Sequence, residues 1–239
     1  EQVISAGHFH GMPLALAMSY VKVAIPVLAS ISERRLNKLL DPATNDGLPA
    51  FLIGNEDGTE SGYMIVQYTA AAIVNDLTSR AMPASVYSIP TSANAEDHVS
   101  MGANEARHVL AMADDLGKVL ALEMYTAAQA LDLRLDMINA ARELAVRADA
   151  SAFAKKVQGA PMATSNDETV VFLAEVEAFR QELADAQAFR PGRAVAKAHA
   201  ALRAVIPFLD RDRALDSEVA AAVRLIDDGI LLVASRTDA

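Results

Sequence analysis

Apolar residues dominate two long stretches in the first third of the chain. Residues 14–40 are nearly all apolar at first and become amphipathic towards Ser32-Glu33-Arg34-Arg35, which predicts a long, mostly buried helix. Residues 63–77 are again nearly all apolar, and the small side chains of residues 69–72 would let another helix pack closely against them. From residue 99 to about residue 134, apolar residues recur at helical spacing and predict a helix of about 35 residues, about 50 Å long.

These segments predict an all-α fold, an elongated bundle of long helices with an inserted smaller helical subdomain. We assign residues 1–135 to a central bundle with active-site loops. It contains an ordered loop at 41–62 and a polar loop at 83–97, and we expect its helices at 14–40, 63–80 and 99–134 to form an oligomer core. Residues 136–192 are more polar, with amphipathic pieces at 140–157 and 170–188, and are assigned to the inserted subdomain. Residues 193–239 hold two helices, at 194–208 and 217–233, that return to the bundle.

Composition narrows the function classes. The chain has 239 residues with 52% hydrophobic content, enough for a substantial core, and its net charge of −10 argues against nucleic acid as a partner. No cysteine is present, which excludes disulfides and thiolate chemistry and favours a cytoplasmic location. The membrane-like stretch 12–31 contains Lys22 and Pro26, so we interpret it as a bundle helix and expect no membrane span. Because the first residue is Glu1 and not Met, we expect a further segment ahead of it.

The first loop with candidate chemistry is residues 5–11, Ser-Ala-Gly-His-Phe-His-Gly. In an extended backbone His8 and His10 would project to one side and Phe9 to the other. A two-histidine metal pair is one interpretation, but a metal site needs further ligands that the sequence does not supply nearby. We therefore predict no metal.

The second loop is residues 88–101, Ser-Ile-Pro-Thr-Ser-Ala-Asn-Ala-Glu-Asp-His-Val-Ser-Met. Its acid and base groups Glu96, Asp97 and His98 lie just before the third predicted helix, where the positive end of the helix favours a carboxylate. The alternative is an N-terminal helix cap made by Asn94, Glu96 or Asp97. The residues alone do not decide between these two interpretations.

These segments together resemble the histidine and phenylalanine ammonia-lyase family, and the histidine type most. The opening is similar to that family's Gly-Gly-Asn-Phe-His-Gly segment, and residues 83–101 are the strongest match. The similarity covers most of the chain outside the inserted region. Further matching segments are residues 31–35, 47–52, 61–65, 128–132 and 207–213.

The resemblance implies an activity, a cofactor and partners. Members of the family eliminate ammonia from an α-amino acid to give an α,β-unsaturated acid, and they use a methylidene-imidazolone formed from an Ala-Ser-Gly tripeptide. No Ala-Ser-Gly occurs in this sequence. We therefore expect the chain to be the carboxy-terminal part of the enzyme, active in amino acid catabolism only when combined with the amino-terminal half in a homotetramer. An aminomutase of the same family and a non-catalytic structural or interaction protein remain alternatives.

The resemblance also implies roles for three residues. Glu96 falls at the family's active-site glutamate and is the predicted catalytic residue, whereas a helix cap is the competing interpretation. Phe9 falls at the substrate-contacting phenylalanine and could otherwise be an ordinary core aromatic. His10 agrees with the same segment and joins Phe9 as a candidate substrate-binding residue, with a structural role as the alternative.

Three positions depart from the family's pattern. His8 replaces an asparagine, Ala95 a glutamine and Glu60 an asparagine, all in loops that we expect near the site. The lost amide at Ala95 and the added titratable group at His8 leave the amino acid substrate open.

Overall fold

The computed structural model describes residues 2–4, 10–54, 59–148, 152–153, 166–185 and 190–230. Within these residues no strand forms, and one isolated bridge pairs Thr91 with Glu96. The predicted all-α fold is confirmed. Its helices are α1 (Met12–Leu40), α2 (Met64–Ser79), α3 (Gly102–Arg147), α4 (Asn166–Asp185), α5 (Arg193–Arg203) and α6 (Asp216–Asp227), with 3-10 turns at Ala50–Leu52, Ala84–Val86 and Ser92–Asn94.

The first two helices start and stop close to where the sequence predicts. Pro13 lies in the first turn of α1, where its missing N–H costs no intrahelical hydrogen bond, and the helix ends at Leu40, with Asp41 as its C-cap before Pro42. Gly62 precedes α2 with a φ of +54°, and a Cβ there would lie 2.6 Å from the carbonyl oxygen of Phe51. Only glycine can occupy this position, because the backbone of Phe51 lies too close for any Cβ.

The third helix is longer than predicted. α3 has 46 residues and runs to Arg147, so the predicted end near residue 134 and the separate start near residue 140 are wrong. No glycine or proline interrupts residues 135–147, and the rise in polarity there reflects a helix that leaves the core for solvent. The division into residues 1–135, 136–192 and 193–239 stays a prediction, with its first boundary inside α3.

The main core lies where α1, α2 and α3 meet the carboxy-terminal helices. Its fully buried side chains include Leu36, Leu52, Tyr63, Leu122 and Tyr125, against which Ile206 and Leu209 pack. α6 packs on α3. The assignment of residues 193–239 as helices that return to the bundle stays a prediction. The predicted helix 194–208 ends earlier, at Arg203, and the last part of the predicted helix 217–233 lies outside the described residues.

Two smaller clusters extend the packing along α3. Ile25, Ala29, Leu77, Met112 and Val119 form one of them, between α1, α2 and the first half of α3. The other joins the outer end of α3 to α4 through Ala145, Phe153 and Val176. Three hydrophobic clusters along α3 therefore hold the described helices together.

α1 leaves much of its apolar surface uncovered in the single chain. By length and composition it could cross a membrane. Only 33% of its most apolar 18-residue stretch is buried. The prediction of a mostly buried helix is therefore wrong for the chain by itself, because α2 and α3 cover only one side of α1. Its exposed apolar side chains are Leu14, Leu16, Tyr20, Val21, Val23, Val27, Leu28 and Ile31.

Candidate functional site

The loop between α2 and α3 contains an unusual backbone turn directly before Glu96. Ser92, Ala93 and Asn94 have φ values of 54°, 53° and 69°, so three successive residues other than glycine adopt left-handed conformations. Each such residue costs about 1–2 kcal/mol, and strain of this kind is concentrated at functional sites. The sequence gives no warning of this turn, since only Asn94 belongs to a residue type that favours it.

The backbone of Glu96 is held by the other side of the same loop. The Thr91 N–H donates to the Glu96 carbonyl at 3.0 Å, and the Glu96 N–H donates to the Thr91 carbonyl at 3.3 Å. The side chain of Glu96 is exposed, and no described residue forms a hydrogen bond or ion pair with its carboxylate. The loop therefore presents a carboxylate on a fixed backbone.

The helix-cap interpretation of this segment is wrong. α3 begins at Gly102 and its N-cap residue is Met101, which has a φ of 54° and forms no side-chain capping hydrogen bond. Asn94, Glu96 and Asp97 lie several residues before that position. Residues of these types often cap helices. Here Asn94 belongs to the left-handed turn, and Glu96 forms the backbone bridge to Thr91.

His10 joins the opening segment to the end of this loop. Its Nδ1 accepts the Met12 N–H at 3.2 Å, so the proton lies on Nε2, which donates to the His98 carbonyl at 2.8 Å. The two imidazoles also stack, with ring centroids 5.7 Å apart. Both nitrogens of His10 thus contact backbone groups, which matches the structural role and leaves neither nitrogen for a metal in this arrangement.

The remaining predicted residues of the opening segment, His8 and Phe9, lie outside the described residues. His10 follows Phe9 directly, so the His10–His98 contact places the end of that segment beside the loop of Glu96. The joint position of Phe9 and Glu96 in one pocket stays a prediction. Among the residues that the structure describes, no group of three histidine, aspartate or glutamate side chains is placed to hold a metal.

The departures from the family's pattern separate into two regions. Ala95 is exposed beside Glu96. Glu60 precedes the 16-residue helix α2, whereas Glu96 follows it, and the Glu60 carboxylate accepts the Asp212 N–H at 2.6 Å. That both residues lie near the site stays a prediction.

A buried ion pair that the sequence analysis missed lies at the start of the loop. Lys22 on α1 and Glu105 on α3 are 1% and 0% exposed, and Nζ lies 3.3 Å from Oε2. Lys22 also contacts Nδ1 of His108 at 2.9 Å and donates to the Met82 carbonyl at 2.6 Å. A lysine inside an otherwise apolar helix was the available signal, since a buried lysine requires a partner. Its partner 83 positions away could not be read from the sequence.

The environment of this pair shifts two pKa values. Burial raises the pKa of Glu105, but hydrogen bonds from the Ser85 N–H, Lys22 and Ser19 outweigh it and lower the pKa below the ordinary 4.5. Burial and the neighbouring Lys22 ammonium both lower the pKa of His108 below 6.5. At neutral pH the carboxylate is therefore charged, and His108 is neutral and can accept the lysine's hydrogen bond.

Four of the other matching segments contact one another in pairs. The Gln129 amide donates to the Leu52 carbonyl at 3.1 Å, and Asp212 accepts the Gly62 N–H at 2.8 Å. These segments hold the fold together. The segment around Glu96 differs from them, because its polar side chains are exposed on an ordered backbone.

Comparisons with known proteins agree with the resemblance. The family model "Aromatic amino acid lyase" matches residues 1–157. A histidine ammonia-lyase of Natranaerobius thermophilus is 55% identical over 134 residues, which are 56% of this chain and 26% of that protein. A histidine ammonia-lyase of Treponema denticola is 53% identical over 134 residues, with the same coverage of both chains. The chain thus spans about a quarter of the length of these relatives.

Solved structures extend the likeness to nearly the whole chain. Histidine ammonia-lyase from Trypanosoma cruzi has a TM-score of 0.70 and 28% identity, covering 98% of this chain and 36% of that one. Tyrosine aminomutase from Streptomyces globisporus also has a TM-score of 0.70, with 25% identity over 98% of this chain and 35% of that one. With a family match over more than half of its length, this chain belongs to the aromatic amino acid lyase family.

Proposed function

We propose that this chain is the carboxy-terminal part of an ammonia-lyase of the histidine ammonia-lyase type, with Glu96 as a catalytic residue. The observation that carries the proposal is the exposed carboxylate of Glu96 on a loop whose backbone is fixed by Thr91 and follows a strained left-handed turn. The similarity to histidine ammonia-lyases supports the reaction class.

The chemistry assigned to Glu96 is proton transfer or binding of a substrate N–H. Elimination removes a weakly acidic β-proton, so the substrate must be oriented and a base must be held within hydrogen-bonding reach. A carboxylate with no partner among the described residues is available for such a contact. Phe9 would contribute an apolar face to the substrate's ring, and His10 would hold the segment of Phe9 against the loop.

The family's electrophile has to come from outside this sequence. The chain has no Ala-Ser-Gly, the tripeptide from which the family's methylidene-imidazolone forms. When present, that group withdraws electrons from the substrate and makes loss of ammonia possible. We propose that the amino-terminal half of the enzyme supplies it.

We also propose a homo-oligomer, with a tetramer as the expected form. Eight exposed apolar side chains on α1 support this, because a surface of that kind normally packs against protein. An amino acid substrate, a role in amino acid catabolism and a cytoplasmic location complete the proposal.

An aminomutase is the second candidate, favoured by the similarity to tyrosine aminomutase structures. Lyase and aminomutase share the elimination step, and they differ in whether ammonia is returned to the β-carbon. Analysis of the products from histidine, tyrosine and phenylalanine distinguishes them, since only an aminomutase yields a β-amino acid.

The test is Glu96→Gln in the complete enzyme, that is, this chain together with its amino-terminal half. The substitution keeps size and hydrogen bonding but removes the base, so we expect kcat to fall by about 100-fold or more with little change in melting temperature. Glu143→Gln is the matched control, because Glu143 is an exposed carboxylate 70% accessible near the outer end of α3. Unchanged turnover in Glu96→Gln would remove Glu96 from the site.

A further inference from the structure

We propose that the buried Lys22–Glu105 ion pair is a positioning unit for the loop that carries Glu96, and that it sets turnover through that loop. The inference rests on the proposed function of Glu96. It concerns residues that the sequence comparison with the family did not single out, and it follows from which backbone groups the pair contacts.

The pair fixes the start of the loop to two helices at once. Lys22 on α1 donates to the Met82 carbonyl at 2.6 Å, and Glu105 on α3 accepts the Ser85 N–H at 3.0 Å. Ser19 strengthens the same point, since its hydroxyl lies 3.1 Å from Oε1 of Glu105 and 2.8 Å from the hydroxyl of Ser85. Residues 82–85 therefore cannot shift without breaking several buried hydrogen bonds.

The other end of the loop is held independently. His10 donates to the His98 carbonyl at 2.8 Å, and the Val99 N–H donates to the hydroxyl of Ser88 at 2.7 Å. Between these anchors the Thr91–Glu96 bridge closes the exposed part of the loop. The backbone of Glu96 thus lies between two anchors, of which the buried ion pair is the one fixed to the helical core.

Stability alone does not account for an ion pair at this place. Desolvation of two buried charges offsets most of their attraction, and apolar residues of similar volume are often equally stable there. What apolar residues cannot do is bond the Met82 carbonyl and the Ser85 N–H. The distinctive property of the pair is therefore its contact with the loop backbone.

The experiment is the double substitution Lys22→Met/Glu105→Leu in the complete enzyme. It removes both charges together, so no single buried charge is left to unfold the protein. We expect kcat to fall on the order of 100-fold with a small change in KM, because a displacement of about 1 Å in a reacting group has that effect. Lys22→Met/Glu105→Gln keeps an acceptor for the Ser85 N–H and should recover part of the loss.

The matched control is Arg35→Met/Glu123→Leu, which removes an ion pair between the same two helices away from the loop. It should leave kcat unchanged. Amide hydrogen exchange supplies a readout independent of turnover, and the Thr91 and Glu96 amides should exchange faster in Lys22→Met/Glu105→Leu while the helices keep their protection.

A double-mutant cycle separates positioning from general support of the fold. In a Glu96→Gln background the Lys22→Met/Glu105→Leu change should cause no further fall in kcat. Three results would each overturn the inference. The Lys22→Met/Glu105→Leu change could lower kcat equally in both backgrounds, it could leave kcat at the wild-type value, or it could leave amide exchange at Thr91 and Glu96 unchanged. If Glu96→Gln itself has full turnover, the proposed function of Glu96 fails, and the exchange result still decides whether the pair positions the loop.

Discussion

Gln129 and Leu209 are joined by a pair of hydrogen bonds in the middle of the core. The Gln129 amide donates to the Leu209 carbonyl at 2.9 Å and accepts the Leu209 N–H at 3.0 Å, as a neighbouring strand would. The same amide donates to the Leu52 carbonyl at 3.1 Å. One fully buried side chain thus satisfies backbone groups of two connecting segments that lie outside the α-helices.

Replacement of this side chain should destabilise the protein strongly. Gln129→Leu has similar volume but removes all three of these bonds. The Leu209 carbonyl still accepts the Gly54 N–H at 3.4 Å, whereas the Leu52 carbonyl and the Leu209 N–H lose their partner, and each orphaned group costs about 1–3 kcal/mol. We expect a loss of about 3 kcal/mol or more in the free energy of unfolding, measured by chemical denaturation of the complete enzyme. Gln181→Leu, at an exposed glutamine on α4, is the control and should change it little. A loss below about 1 kcal/mol in Gln129→Leu would show that water replaces the lost bonds.

Buried tyrosines should make stability fall in alkaline solution. Burial raises the pKa of Tyr63 from 10.0 to about 12, and its ring packs edge-on against Tyr125 at 4.9 Å. Between these pH values the unfolded chain loses the phenolic proton while the folded chain keeps it, so stability present below pH 10 is lost as the pH rises towards 12. The slope from this group should approach about 1.4 kcal/mol per pH unit.

Unfolding free energies measured across that range test the assignment. Tyr63→Phe should reduce the slope, while Tyr87→Phe, at a phenol that is 70% exposed and lies outside the α1 face, should keep the wild-type slope. Identical slopes in all three proteins would mean that Tyr63 is not shielded from solvent as the structure has it.

The uncovered face of α1 should determine assembly. Leu28 is 55% exposed, and Leu28→Glu would place a charge in an apolar subunit contact, where desolvation opposes association. We expect native mass spectrometry of the complete enzyme to detect smaller species in Leu28→Glu and the wild-type oligomer in Lys38→Glu, a control at the polar end of the same helix. A wild-type protein that is monomeric would contradict the predicted oligomer core.

The chain by itself should have no catalytic activity. It lacks the tripeptide that forms the electrophile, so we expect no ultraviolet signal of a methylidene-imidazolone and no urocanate or cinnamate from histidine or phenylalanine. Addition of the amino-terminal half should restore both. Elimination by the purified chain alone would overturn the mechanism proposed for Glu96.

Sequence periodicity was sufficient for α1 and α2 because glycine, proline and polar loops mark their ends. It failed at the end of α3, where a change from buried to exposed positions looked like a break in the helix. It also failed at Glu96, because the N-cap of α3 is Met101 in a left-handed conformation that no sequence rule assigns to methionine.

The polar contacts of the core could not be predicted from the sequence, for a different reason. Lys22 binds Glu105, and Gln129 binds Leu209, across 83 and 80 positions of the chain. Local patterns carry no information about such distant partners. The acid and base groups of residues 88–101 marked this loop as a candidate, the resemblance to the lyase family favoured Glu96 within it, and the geometry of the loop required the structure.

The length of α3 has a mechanical consequence. A straight helix of 46 residues is about 69 Å long, so a tilt of about one degree at Gly102 moves the Arg147 end by about 1.2 Å. The outer end of α3 packs against α4 through Ala145 and Val176. A small change in the tilt of α3 beside the Glu96 loop is therefore amplified at the contact with α4.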